Sequence, residues 1–322
     1  MGVLMKSRSA SACIKEGYGH FIGRFKENFR LSWPFALAYS LVCGLLCTLC
    51  VVQLPQMCAQ TVLSHGNLYP VFADNVHIMC LAFVLIVVGG MFEVAAYSSI
   101  ISRLKNSAGN GADCKTAVRP FFDFKTFVRT LKAALGCLLI VALAFSLLSG
   151  CSLLVFKAAN ASLSGLAYII TQSVLYVILM LFVALPLAFV AMKYVLTDGA
   201  GFWKTVFGNY SVSMKHLGFV FIVMLVSCIV IGIAELVLAL PAYILAVANF
   251  QANMGILDGD SFGMPAYINY ISAVVFFLAG LIQIYVRMSA LFTTYYMYGS
   301  VENQEAERIR YSKTSVIIAE NK

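Results

Sequence analysis

The chain has 322 residues, of which 61% are hydrophobic and 11% are charged, and its mean hydropathy is +0.89. Soluble domains carry about a quarter charged residues, so this composition excludes a water-soluble globule and predicts a protein of the lipid bilayer. The formal net charge of +8 would suit a nucleic-acid partner, but the basic residues flank apolar segments, which indicates anionic lipid headgroups instead.

Six apolar segments follow one another along the chain, and each is long enough to cross the hydrocarbon layer as a helix. The polar stretch before the first segment lacks the pattern of a cleavable signal peptide. We therefore expect an all-α membrane protein with six transmembrane helices at 31–299, a cytoplasmic N-terminal segment at 1–30 and a cytoplasmic C-terminal tail at 300–322. The six apolar segments lie at 32–54, 78–101, 130–156, 165–192, 217–247 and 271–297.

The lysines and arginines predict the orientation of these segments. Twenty of the 22 lie before the first segment, between the second and third or in the first turn of the third (Lys132), between the fourth and fifth, or after the sixth. The exceptions are Lys157, in an alternate loop, and Arg287, within the sixth segment. Because basic residues stay on the cytoplasmic side, both termini are predicted to be cytoplasmic in a cell inner (plasma) membrane. The basic segments are expected to contact anionic lipid headgroups, with no nucleic acid as partner; the identity of a protein partner stays open.

A similar amphipathic stretch precedes each odd-numbered segment. The three stretches read "YGHFIGRFKENFRLSWPF", "TAVRPFFDFKTFVRTLKA" and "GFWKTVFGNYSVSMKHLG". In the first, an apolar stripe predicts a helix lying in the headgroup plane; its residues are Tyr18, Phe21, Ile22, Phe25 and Phe29. We expect three repeats of an interfacial helix plus a helical hairpin, in which Glu93, Phe189 and Arg287 are equivalent. The alternative is chance similarity among apolar segments.

Glu93 in the second segment and Arg287 in the sixth are opposite charges inside predicted spans. Both segments run inward, so both residues are expected about 22 to 24 Å from the outer boundary. A lone charge in a span costs about 2.5 to 3.5 kcal/mol, so we expect the two to pair. Gln283, on the face of Arg287, and Tyr97, one turn from Glu93, are candidate hydrogen-bond partners.

The role of this pair stays open at the level of sequence. It either locks one helix packing or lines a polar cavity that handles a proton, an ion or a lipid headgroup. Glu235, in the fifth segment, is expected near the outer leaflet without a cationic partner, at the interface or lining an outward-facing cavity.

Little in the sequence points to a metal, a cofactor or catalysis. Cys43, Cys47 and Cys50 stack on one helix face, which favours a helix contact over a metal or redox cluster, because no further ligands lie nearby. The motifs GxxxxGK[ST] and HExxH do not occur, and the single match to GxSxG, "GDSFG" at 259–263, follows no predicted strand. We therefore expect no enzyme activity, no metal and no cofactor.

Two further stretches carry a resemblance to known proteins. The segment "LTDGAGFWKTVFGNYSVSMKHLGF" precedes the fifth span, and the sixth span closes with "ALFTTYYMYG". With the six-span pattern, they resemble YciC-like bacterial membrane proteins and the membrane domain of some glycerophosphodiester phosphodiesterases. The resemblance covers most of the chain and implies a bacterial inner-membrane location with no established activity.

The sequence leaves three hypotheses for function. The first is a non-enzymatic polytopic protein, transporter-like or acting in envelope or lipid homeostasis. The second is a membrane scaffold that recruits a cytoplasmic partner, and the third is a membrane-embedded lipid enzyme. A water-filled cavity at Glu93 and Arg287 would favour transport, whereas a packed interior would favour a scaffold.

Overall fold

The computed structural model describes residues 4, 6–63, 68–109, 122–158, 165–257, 259, 265 and 267–320. These residues form α-helices joined by short connections, and no strand is present among them. The helices are α1 (Ala10–Gly23), α2 (Phe25–Leu63), α3 (Leu68–Asp74), α4 (Val76–Gly109), α5 (Phe124–Ala158), α6 (Gly165–Leu196), α7 (Phe202–Lys215), α8 (Leu217–Leu257) and α9 (Tyr267–Glu320).

Six helices in the described part of the chain are long and apolar enough to cross a membrane. This finding confirms the predicted all-α architecture with six potential membrane-spanning helices, and each span overlaps one predicted apolar segment. Helix α9 continues to Glu320 without a break near residue 300, where the C-terminal tail was predicted to begin. The spans are Phe25–Cys58, Val76–Asn106, Phe124–Leu154, Ile169–Leu196, Leu217–Ala252 and Tyr267–Ser312.

The amphipathic stretches before the odd-numbered spans differ from one another in structure. The first and third contain separate helices, α1 and α7. The second is continuous with its span from Phe124 onward, and its residues 116–121 lie outside the described residues. The threefold repeat therefore stays a prediction.

The apolar stripe predicted from Tyr18 to Phe29 is wrong as a single helix face. Helix α1 ends at Gly23, and Arg24 leaves the helical conformation with φ −121° and ψ 26°. Phe21 is buried, with its ring centroid 5.4 Å from that of Phe292, whereas Ile22 is 68% exposed. The ring contact with α9 selects which side of α1 is buried, and residues beyond Arg24 belong to α2.

The described contacts divide the chain into two compact units. The first comprises Met1–Phe25, Ser98–Cys228 and Ser289–Lys322, and the second comprises Lys26–Tyr97 and Ile229–Met288. Helices α4, α8 and α9 contribute residues to both units.

In the first unit, the N-terminal segment is bound to α9. The backbone N–H of Arg8 donates to Oγ of Ser300 over 3.0 Å, and that hydroxyl donates back to the Arg8 carbonyl over 3.1 Å. The Arg8 side chain is buried and pairs with Glu16 at 2.6 Å. Farther along α1, Nδ1 of His20 lies 3.0 Å from the hydroxyl of Tyr296. These contacts tie residues at the start of the chain to the C-terminal part of α9.

Close packing of α1 on α9 depends on a glycine. A Cβ atom at Gly17 would lie 2.8 Å from Cα of Thr293, closer than non-bonded carbon atoms approach. Cys13, one turn earlier, is fully buried. Burial raises the pKa of the Cys13 thiol to about 11, which favours the protonated, less nucleophilic form.

A second arginine in the first unit binds the loop between α6 and α7. Arg129 donates through Nε to the Tyr194 carbonyl over 2.7 Å, and its Nη2 donates to the carbonyls of Thr197 and Ala200. Gly199 in this loop has φ +86°, a backbone conformation that residues other than glycine adopt only at a cost in free energy. Nearby, a hydrogen bond from Lys105 lowers the pKa of the Asp198 carboxyl.

In the second unit, α2 and α9 pack closely at small residues. A Cβ atom at Gly44 would lie 3.1 Å from the backbone nitrogen of Phe277. Gly280, one turn from the position of Phe277, faces Ser40 and Cys43 of α2. Small residues allow such close backbone approach between helices in membranes. This contact sets the position of α9 against α2 about two turns before Arg287.

Candidate functional site

Three charged residues of the second unit lie near the middle of candidate spans. Glu93 lies in the span Val76–Asn106, Glu235 in Leu217–Ala252 and Arg287 in Tyr267–Ser312. The surrounding residues of each span are overwhelmingly apolar. Charges at such depth are costly in lipid and normally face a partner or a polar cavity.

Arg287 binds both carboxylates. Its Nε donates to Oε1 of Glu235 over 2.5 Å, and its Nη1 lies 3.9 Å from Oε1 of Glu93. The predicted pairing of Glu93 with Arg287 is therefore present, with Glu235 as the closer partner. We refer to Glu93, Glu235 and Arg287 as the charged cluster.

Two tyrosines complete the hydrogen bonding of this cluster. The hydroxyl of Tyr97 donates to Oε1 of Glu93 over 3.2 Å, as the spacing of one helical turn predicts. The hydroxyl of Tyr39, on α2, accepts from Nη1 of Arg287 over 3.4 Å. Gln283 lies one turn before Arg287 and is half-buried, and it makes none of the hydrogen bonds seen among the described residues of the cluster.

The expectation that Glu235 has no cationic partner is wrong, because its carboxylate pairs with Arg287 at 2.5 Å. That expectation counted from residue 217 and treated the span as ending near 247. The apolar span continues to Ala252 and the helix to Leu257, so Glu235 is near the middle of α8 rather than near its C-terminal end. At this level the guanidinium of Arg287 is within reach.

Tyr39 is the cluster residue that the sequence pattern did not reveal. It carries no formal charge, and tyrosine is common at membrane interfaces. A usable signal was its spacing, because Tyr39, Cys43, Cys47 and Cys50 recur along one face of α2. In the structure Tyr39 contacts Arg287, and Cys43, one turn farther along the same face, lies against Gly280 of α9. A continuous row of weakly polar groups thus leads along α2 away from Arg287.

The cluster has more acid than base, and its three charged side chains are partly exposed. Two carboxylates share one guanidinium, so the ionised cluster carries an excess negative charge. The exposed fractions of the side chains are 39% for Arg287, 28% for Glu235 and 26% for Glu93. A closed packing lock would be charge-balanced and shielded. This arrangement can instead accept a proton or a small cation.

The described residues contain no group of three or more histidine, cysteine or acidic side chains placed to hold a metal ion. An apolar groove of about 280 Å³ lies between α2 and α8, three turns along each helix from Tyr39 and Glu235. It bears no charged side chain, so its chemistry is separate from that of the cluster. The groove is lined by Cys50, Val51, Leu54, Pro55, Ala246, Val247 and Phe250.

Six apolar helices and an intramembrane charged cluster define the class of this molecule as a polytopic helical membrane protein. No family model, curated protein or solved structure matches the chain. The resemblance to YciC-like proteins therefore stays a prediction.

Proposed function

We propose that this protein is transporter-like, and that the charged cluster binds the cation it moves. The observation that carries the proposal is the convergence of two carboxylates on one guanidinium near the middle of three spans. An ionisable residue within a span is costly enough that a role in an ion or proton path is its default interpretation.

The charge balance of the cluster favours a cation over an anion as the bound species. Arg287 is already engaged by Glu235, Glu93 and the hydroxyl of Tyr39. An anion would have to displace one of the carboxylates, whereas a proton or a small cation would neutralise the excess charge. Burying an uncompensated charge costs several kcal/mol, about 3 to 5 when a buried pair is broken, so the cluster strongly attracts a compensating cation.

The proposed setting is the bacterial inner (plasma) membrane, with both termini in the cytoplasm. Support comes from the distribution of lysines and arginines, 20 of which lie in alternate connections or at the termini. Helix α7 adds to this side an exposed aromatic surface, since Trp203 is 48% and Phe207 79% exposed, with Lys204 between them. We propose that this surface lies at anionic lipid headgroups. A role in envelope or lipid homeostasis is compatible with this setting.

Ion flux into liposomes tests the proposed function. The purified protein is reconstituted into vesicles that contain a dye selective for H⁺, Na⁺ or K⁺, and a gradient of the matching ion is imposed in each case. We expect one gradient to collapse faster than in protein-free vesicles. Glu93→Gln and Glu235→Gln should each reduce the flux to the protein-free level, because either change removes the excess negative charge while leaving Arg287 paired.

Asp198→Asn is the matched control, because Asp198 pairs with Lys105 in the other unit and is about half exposed. This variant should keep the wild-type flux. Flux that is unchanged in Glu93→Gln and Glu235→Gln contradicts a role for the cluster. Wild-type protein that moves none of the three cations contradicts cation transport and favours the scaffold hypothesis.

A further inference from the structure

The two carboxylates of the charged cluster are not equivalent. Glu235 makes a direct hydrogen bond of 2.5 Å to Nε of Arg287, whereas Glu93 approaches Nη1 only to 3.9 Å, beyond hydrogen-bond distance. We infer that Glu93 is the proton-binding residue of the cluster and that Glu235 is the fixed counter-ion of Arg287. This inference rests on the proposed cation-binding role and names the cation as a proton.

Every helix around Glu93 contributes a titratable or charged group. Tyr97 faces it from α4, Arg287 from α9, and Tyr39 and Cys43 from α2, while Glu235 of α8 reaches the same guanidinium. Of these groups, Arg287 is the cation, and Glu235 is the closer of its two carboxylates. The guanidinium therefore stabilises ionised Glu235 directly and ionised Glu93 less, because Coulomb attraction falls with distance.

Protonation of Glu93 leaves a neutral cluster. One O–H bond forms on a carboxylate oxygen of Glu93 while one O–H bond of a hydronium ion breaks, which leaves a water molecule. Arg287 and Glu235 then remain as a one-to-one ion pair. Release of the proton restores the excess negative charge, which attracts the next proton. The cycle requires no oxidant or other reactant.

The hydrogen bonds of Glu93 are suited to both protonation states. In the ionised state its Oε1 accepts from the hydroxyl of Tyr97. In the neutral state the carboxyl group is itself a donor, and a tyrosine hydroxyl can accept as well as donate. Neither state leaves Glu93 without a hydrogen-bond partner, so the proton can come and go without the penalty of an unsatisfied polar group.

Infrared difference spectroscopy of the reconstituted protein tests the assignment. A carboxyl C=O stretch appears when a side chain becomes protonated, and its frequency changes when aspartate replaces glutamate. Spectra are recorded during acidification for wild type, Glu93→Asp and Glu235→Asp, which all keep two carboxylates and one guanidinium. We expect the first cluster band that appears on acidification to shift in frequency in Glu93→Asp and to be unchanged in frequency in Glu235→Asp.

The inference is overturned if that first band shifts in Glu235→Asp, if both bands appear together, or if neither variant alters a band. The spectra do not depend on flux, so the two proposals can fail separately. A Glu93 band without transport would contradict the proposed function alone. Cation flux with a first band that belongs to Glu235 would contradict the assignment alone.

Discussion

Arg287→Gln is expected to deplete folded protein from the membrane more severely than any other single neutralising change in the cluster. The variant leaves Glu93 and Glu235 facing one another in the middle of their spans without a cation. Breaking a buried ion pair costs about 3 to 5 kcal/mol. Because the side chain of Arg287 is 39% exposed, we expect the free energy of unfolding to fall by the lower end of this range, about 3 kcal/mol. The measurement is the heat stability of detergent-solubilised protein, followed as the monodisperse fraction in size-exclusion chromatography.

The triple variant Arg287→Gln, Glu93→Gln, Glu235→Gln separates the effect of charge from the effect of shape. It removes all three charges together, so it should recover most of the lost stability while remaining inactive in transport. Lys105→Gln is the control for loss of an exposed ion pair and should cost about 1 kcal/mol or less. An Arg287→Gln protein as abundant and as heat-stable as the wild type would contradict the contacts described for this residue.

Gly17→Ala is expected to loosen the docking of α1 on α9. The added Cβ would lie 2.8 Å from Cα of Thr293, and because that neighbour is backbone, one of the helices has to move. Overpacking of this kind costs about 1 to 3 kcal/mol. The measurement is the rate at which Cys13 reacts with iodoacetamide at neutral pH, followed by peptide mass spectrometry. We expect the rate to rise about tenfold for each 1.4 kcal/mol of lost docking energy.

Gly19→Ala, two residues away on the same helix, is the matched control. No neighbouring atom lies within 4 Å of the Cβ position at Gly19. This change should leave Cys13 protected, and it can stabilise the helix by about 0.5 to 1 kcal/mol because alanine loses less conformational freedom than glycine. Equal alkylation rates in the two variants would show that α1 does not depend on close contact with Thr293.

The spans and the pairing of Glu93 with Arg287 were predictable because they depend on hydropathy and on residue spacing within single segments of the sequence. Hydropathy over about 20 residues decides whether a helix can cross a bilayer, and counting along two helices of the same direction placed Glu93 and Arg287 at one level. Glu235 was misplaced because its helix extends farther at its C-terminal end than the predicted span. An error in one boundary changes the depth of every residue counted from it.

Features that depend on tertiary contacts were not predictable from the spacing of residues in the sequence. The stripe from Tyr18 to Phe29 follows helical spacing, but the helix ends at Gly23, and Phe21 is buried against Phe292. The docking of His20 on Tyr296 likewise joins residues far apart in the chain. Tyr39 was missed because a neutral residue gives no charge signal, although its spacing with Cys43 marked the face of α2 that meets Arg287.

The central claim is that the charged cluster lies within a membrane span and is reached by water. Gln283→Cys places a thiol one turn from Arg287 without altering the charged residues. Ile282→Cys is the control, because the native Ile282 side chain is 49% exposed on an apolar face of the helix. Both are made in a variant with the ten native cysteines replaced and are treated in membranes with a cationic, membrane-impermeant methanethiosulfonate. The account predicts modification of Gln283→Cys and none of Ile282→Cys. Protection of both thiols, with reaction only toward a lipid-soluble maleimide, would contradict it.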